Sequence, residues 1–201
     1  MKALIINYGV GNLFSIVSAL KRTGFEVVIS KVPRHGYDLL ILPGVGSFNA
    51  LRKYLEEHGE DLRDIVESGT PTLGICLGMQ VLFDYSEECG DCKGLGVLRG
   101  YIGKLITRRK LPHIGWDKVY LINWDRACEI FRDLHGEYVY FIHSYVLYPE
   151  TLDYVCMVSL YDSIFPAAIS YKNILGTQFH IEKSGYIGRR FFETLMRWVR
   201  R

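Results

Sequence analysis

Apolar positions in the first third of the chain follow two alternating periods. Residues 3–7, 25–30 and 39–42 form short, nearly continuous apolar runs, the pattern of strands buried on both faces. Between the first two runs, Leu13, Ile16, Val17 and Leu20 recur at three- and four-residue intervals, a helical stripe. Residues 49–57 and 61–67 read as amphipathic helical segments, and 72–76 as a central strand. Strand alternating with helix predicts an α/β fold, a doubly wound and mainly parallel sheet with helices on both faces. Ligands then sit at the carboxyl ends of the strands. Beyond Gly94 the pattern changes. Strand-like runs at 96–106, 118–122, 138–143, 154–160 and 167–171 come with few helical segments, which predicts antiparallel strands added to the same domain. Near the end, Ile187, Phe191, Leu195 and Val199 oppose Arg189, Arg190, Arg197, Arg200 and Arg201, the signature of a solvated amphipathic helix. No repeat or linker interrupts the chain, so a single domain over residues 1–201 is expected.

Composition narrows the classes. A chain of 201 residues, 49% hydrophobic, can bury a sizeable core. A net charge of +2 supplies no general attraction to nucleic acid or an acidic membrane, and neither is expected as a partner. No apolar run is long enough to span a bilayer and no leader pattern opens the chain. The five cysteines are irregularly spaced and odd in number, which argues against a secreted disulfide framework; a cytoplasmic protein is expected. Cys89 and Cys92 have no second pair at zinc spacing. They read as a fortuitous loop pair, with Cys128 and Cys156 standing alone, so neither metal nor cofactor is expected. Gly9-Val10-Gly11 follows a strand, but Phe14 holds the third glycine position of a dinucleotide fingerprint.

The chemistry-bearing stretch is Gly74-Ile75-Cys76-Leu77-Gly78, an apolar strand ending in a cysteine flanked by glycines. This is a nucleophile-elbow pattern with cysteine as the nucleophile. A sharp strand-to-helix reversal strains its apex residue and crowds its flanks, where only glycine fits. It also sets the sulfur near a helix N-terminus, whose positive end favours thiolate over thiol. A base is supplied by the segment Gly176-Thr177-Gln178-Phe179-His180-Ile181-Glu182, read as a strand on which His180 and Glu182 share a face. Histidine as base, oriented by a carboxylate, completes the logic of a triad. Pro43-Gly44-Val45-Gly46 follows another strand and precedes a helix beginning near Ser47; its amides suit an oxyanion, where one donor is worth roughly a hundredfold to a thousandfold in rate. His113 reads as a structural hydrogen-bonding residue. His143 is divided between that role and the site, and Trp116 and Trp124 between core and interface.

Together these elements resemble the class I (triad) glutamine amidotransferases. Within that family the narrower likeness is to the glutaminase subunits of imidazole glycerol phosphate synthases. It is carried by Asn7-Tyr8-Gly9-Val10-Gly11-Asn12-Leu13, Leu42-Pro43-Gly44-Val45-Gly46, the elbow, Leu111-Pro112-His113-Ile114-Gly115-Trp116, Phe141-Ile142-His143-Ser144-Tyr145 and Phe179-His180-Ile181-Glu182-Lys183-Ser184. The resemblance implies a Cys76–His180–Glu182 triad, oxyanion amides at Val45 and Leu77, and glutamine as substrate. It places Gly44, Gly46, Gln80, Ser144 and Tyr145 around that substrate. It also implies a (β/α)8-barrel cyclase subunit as partner in a heterodimer, with Gly9, Val10, Gly11, Asn12 and Lys183 on the face toward it. Glutaminases of anthranilate or aminodeoxychorismate synthesis share the elbow but differ at the first and fourth of these segments. A related cysteine hydrolase gives no reason for Gln80, and the intact triad argues against a regulatory module without catalysis. Two positions depart from the family pattern: Asn7 stands where aspartate is usual, and Ile181 where proline is usual.

Overall fold

The computed structural model describes residues 1–9 and 13–200. Five parallel strands form one side of a nine-stranded sheet: β1 (Lys2–Ile6), β2 (Glu26–Ser30), β3 (Leu39–Leu42), β4 (Thr72–Ile75) and β13 (Ile174–Thr177), ordered β2-β1-β3-β4-β13. Side chains alternate across this sheet, and the apolar runs fill both faces. Ala3, Ile5, Leu39, Ile41, Leu73 and Ile75 pack with α1 (Phe14–Arg22) and α4 (Gly185–Val199). Leu4, Ile6, Leu40 and Leu42 pack on the other face with α2 (Phe48–Glu67). The expected doubly wound arrangement is therefore present, and continuous apolar strands are its natural sequence.

The two amphipathic segments expected at 49–57 and 61–67 are one helix, α2, running through Gly59. Its apolar positions stay in phase across that glycine, and the intrahelical pairs Arg52–Glu56, Lys53–Glu57 and Arg63–Glu67 support both ends. Ser47 caps it, its side chain accepting from the Ala50 amide.

The remaining sheet strands are β8 (His113–Leu121), β9 (Tyr138–His143), β11 (Val155–Tyr161) and β12 (Ser163–Tyr171), which extend the sheet antiparallel as β13-β12-β11-β8-β9. A second sheet, not foreseen as separate, joins β5 (Tyr85–Ser86), β6 (Cys92–Lys93), β7 (Gly100–Lys104) and β10 (Tyr145–Pro149). The amphipathic final helix is α4, as its apolar stripe predicts. The cysteine reading needs correction: Cys128 and Cys156 do not stand alone but form a disulfide, Cα atoms 5.4 Å apart, and Cys89 and Cys92 form another. Parity and spacing along a chain carry no information on the Cys128–Cys156 pair, which β11 and a distant 3-10 segment bring together. No helix among the described residues is long and apolar enough to cross a membrane, and no cluster there suits a metal.

Candidate active site

The elbow forms as its sequence demands. Cys76 ends β4 with φ 51° and ψ −109°, a strained conformation, and α3 (Leu77–Gln80) starts at once behind it. A Cβ on Gly78 would overlap the Leu42 carbonyl, and one on Gly44 would overlap Leu77. The elbow and the Pro43–Gly46 turn are therefore in backbone contact. This contact lays the Val45 region beside the first amides of α3. Among the described residues, neither the Leu77 nor the Val45 amide donates to another backbone group, which suits both to an anion. The Cys76 amide itself is spent on the Thr177 carbonyl at 2.6 Å, which fixes the elbow to β13.

His180 reaches the site by a route different from the one expected. The strand β13 ends at Thr177, and Ile181–Lys183 forms a 3-10 turn, so His180 and Glu182 do not share the face of an extended strand. Their hydrogen bond nevertheless exists, His180 Nδ1 to Glu182 Oε1 at 2.8 Å, with both side chains almost fully buried. The turn is held by its neighbours. The His180 amide donates to the Tyr140 carbonyl, while Ser184 Oγ donates to the His180 carbonyl and accepts from the Tyr140 amide. Ile181 opens the 3-10 turn, the first helical position, where a backbone N–H has no intrahelical partner and proline is at home.

Electrostatics separate the three buried histidines. Burial lowers the His180 pKa, but the charge and hydrogen bonding of Cys76, followed by those of Glu182, outweigh it and raise it to about 10. His180 Nε2 is buried, with the Cys76 sulfur near enough to raise its pKa. His143 is the opposite case: burial, then His113, push it down to about 3, against the Tyr145 carbonyl. It stays neutral between His113 Nδ1 (3.1 Å) and that carbonyl (3.2 Å), while His113 Nε2 meets Asp117 at 2.6 Å. His113 and His143 thus brace β8 against β9, the structural reading in both cases.

Gln80 is buried in α3, and its Nε2 reaches both the Tyr145 carbonyl and Gln178 Oε1 at 3.0 Å. Its amide nitrogen is thereby committed, leaving only Oε1 for a ligand. The Ser144 carbonyl accepts from the Leu105 amide. Gly9 is exposed, Lys183 Nζ lies 5.7 Å over the Tyr140 ring, and Val10, Gly11 and Asn12 fall outside the described residues. Trp116 and Trp124 are half exposed, so neither is a core residue. The residue missed by sequence reasoning is Gln178, fully buried, with Nε2 3.6 Å from Cys76 Sγ. Its signal was present: a glutamine between a strand and the His180–Glu182 pair must find buried partners if that segment is buried.

A cysteine on an elbow, beside a histidine held by a buried carboxylate, has the layout of a thiol-dependent acyl-transfer site on a doubly wound sheet. The chain belongs to the glutamine amidotransferase class-I family, whose model matches residues 4–193. It is similar to the "Imidazole glycerol phosphate synthase subunit HisH" of Saccharolobus solfataricus, 49% identical over 201 residues and covering 100% of both chains. Its counterpart in Geobacillus kaustophilus is 45% identical over 194 residues, covering 92% of this chain and 90% of the relative. Among solved structures, PurLQS from Thermotoga maritima aligns with a TM-score of 0.79 at 19% identity, covering 98% of each chain. A glutamine amidotransferase crystal structure aligns at 0.74 and 21% identity, over 96% of this chain and 98% of that one. At those identities the structural likeness speaks for the fold alone.

Proposed function

We propose that the chain is the glutaminase subunit of an imidazole glycerol phosphate synthase, releasing ammonia from glutamine for a cyclase subunit in histidine biosynthesis. The observation that carries the chemistry is His180, held at Nδ1 by buried Glu182 and leaving a buried, unpartnered Nε2 beside Cys76. The Cys76 thiolate attacks the side-chain carboxamide carbon, forming a C–S bond and an oxyanion that the Val45 and Leu77 amides receive. Protonated His180 gives its proton to the departing nitrogen; the C–N bond breaks and ammonia leaves. Water, deprotonated by His180, then attacks the γ-glutamyl thioester, releasing glutamate and restoring the thiolate. Gly44 and Gly46 shape the oxyanion turn. Gln80 Oε1 accepts from the α-ammonium group of glutamine, and Ser144 and Tyr145 border the rest of the substrate.

Ammonia released into water is protonated and lost, so the reaction serves synthesis only beside an acceptor. The partner in this reading is a (β/α)8-barrel cyclase, which uses the nitrogen to make imidazole glycerol phosphate and an aminoimidazole carboxamide ribonucleotide. Its docking face in this reading carries Lys183, Tyr140, half-exposed Trp116 and Tyr138, and exposed Gly9; Val10, Gly11 and Asn12 lie outside the described residues. Tyr140 connects that face to the triad, because its ring meets both Trp116 (5.9 Å) and His180 (6.5 Å). Glutamate release, measured with and without the cyclase and its nucleotide, tests the reading. Turnover is expected to rise by about a hundredfold or more with the partner, and Lys183→Ala to blunt that rise more than the basal rate. Cys76→Ser is expected to remove turnover while leaving the melting temperature nearly unchanged. Full activity indifferent to the cyclase refutes the pathway assignment.

A further inference from the structure

Three polar side chains and one backbone carbonyl form an unbroken chain behind the nucleophile. The Tyr145 carbonyl meets Gln80 Nε2 at 3.0 Å, Gln80 Nε2 meets Gln178 Oε1 at 3.0 Å, and Gln178 Nε2 meets Cys76 Sγ at 3.6 Å. Its polarity follows from one fixed point. A carbonyl oxygen only accepts, so the Gln80 atom facing Tyr145 must be the amide nitrogen. That same nitrogen faces Gln178, whose near atom must therefore be the acceptor Oε1. Gln178 is then obliged to turn its NH2 group toward the sulfur. Two amide groups that are ordinarily free to flip are locked in one sense by a backbone atom.

The contact from Gln178 therefore favours one protonation state of the sulfur. As a thiol the sulfur donates to the Ile142 carbonyl, 3.9 Å away, a long and weak contact, or to His180 beside it. As a thiolate it accepts from Gln178, and a hydrogen bond to an ionised acceptor is about twice as strong as a neutral one. Gln178 is fully buried, so its NH2 meets the sulfur without competition from water, and leaving that donor unpaired is costly. The contact comes from the residue that follows β13 and not from the base.

We propose that Gln178 is a catalytic residue of this site, its side-chain NH2 holding Cys76 as the thiolate, and that Gln80 is the positioning residue that aims it. The proposal deepens the glutaminase reading and rests on Cys76 being the nucleophile. It gives Gln80 a duty on the sulfur in addition to its place beside the substrate.

The test is alkylation of Cys76 by iodoacetamide across pH, which reads thiolate content with no glutamine and no partner. Cys76 has no competing free thiol among the described residues, since the other four cysteines are paired. Gln178→Leu keeps the volume and loses the donor. Its alkylation at pH 7 is expected to slow by about tenfold, the loss of one hydrogen bond to a charged group, and to recover as pH rises. With glutamine, kcat falls while KM stays within about twofold. Gln178→Glu, which still offers Gln80 an acceptor and so guards against a misfolded Leu variant, is expected to slow alkylation at least as much. Gln80→Met is expected to slow it as well, whereas a residue that only binds glutamine leaves alkylation unmoved. Wild-type alkylation rates in a folded Gln178→Leu or Gln178→Glu protein overturn the proposal. Failure of the wild-type chain to release glutamate even with the cyclase and its nucleotide would instead overturn the glutaminase reading and leave these alkylation rates standing.

Discussion

The two arms of the site are built in opposite ways. The nucleophile arm is backbone against backbone: β4, the elbow and the Pro43–Gly46 turn touch where glycines stand, and no side chain fits between them. The base arm is a short 3-10 turn hung from hydrogen bonds to β9, through Tyr140 and Ser184, and pressed against α4 at Gly188, where a Cβ would overlap the Ile181 carbonyl. A steric contact tolerates almost no substitution. A hydrogen-bonded suspension can shift by tenths of an ångström and still deliver its imidazole. The Cys76 arm is thus fixed by missing side chains alone, the His180 arm by one such contact at Gly188 and by added hydrogen bonds.

The contrast is broken most severely on the nucleophile side. Gly78→Ala drives a methyl into the Leu42 carbonyl, and neither backbone can yield without opening the sheet. It is expected to cost about 3 kcal/mol or more of stability and to take glutaminase activity with it. Thermal melting together with glutamate release measures both. A variant that keeps its stability would show the elbow to be looser than the contact implies.

On the base side the corresponding loss is chemical. Glu182→Gln keeps the shape but removes the charge that orients and stabilises the imidazolium. A fall in kcat of about a hundredfold or more is expected, with melting changed far less than in Gly78→Ala. Equal damage to stability in the two variants would erase the distinction between the arms.

A titration sharpens the same point. With its folded-state pKa raised to about 10, above the ordinary value of about 6.5, His180 contributes stability that is complete below about pH 6.5 and lost as pH climbs through about 10. Burial pulls the other way, and Cys76 is the foremost of the groups that raise the value. Replacing Cys76 by alanine should therefore lower the His180 midpoint seen by imidazole NMR, more than Glu182→Gln does. An unmoved midpoint would mean that sulfur and imidazole are not coupled.

The smallest effect concerns Ile181. As the opening residue of the 3-10 turn it can become proline without losing an intrahelical hydrogen bond, so Ile181→Pro is expected to change turnover by less than about tenfold, or 1.4 kcal/mol. Steady-state kinetics decide it, and a larger drop would show that the isoleucine side chain, fully buried in the core, carries the turn.

The sequence by itself determined the parallel half of the sheet, because a strand buried on both faces must be apolar throughout, and it determined the elbow, because close backbone contact admits only glycine at Gly44 and Gly78. It also named His180 and Glu182 as partners, although for the wrong local geometry: their hydrogen bond was legible as a spacing, the 3-10 turn that makes it was not. That turn depends on Tyr140, Ser184 and Gly188, none of which carries a local signal, since a serine's bond to a strand 44 residues away is decided only when the two segments meet. The tertiary structure alone also joined Cys128 to Cys156 and aimed Gln178 at the sulfur. Short-range sterics write themselves into neighbouring residues, whereas a polar network is set by which distant groups the fold brings within 3 Å or so of one another.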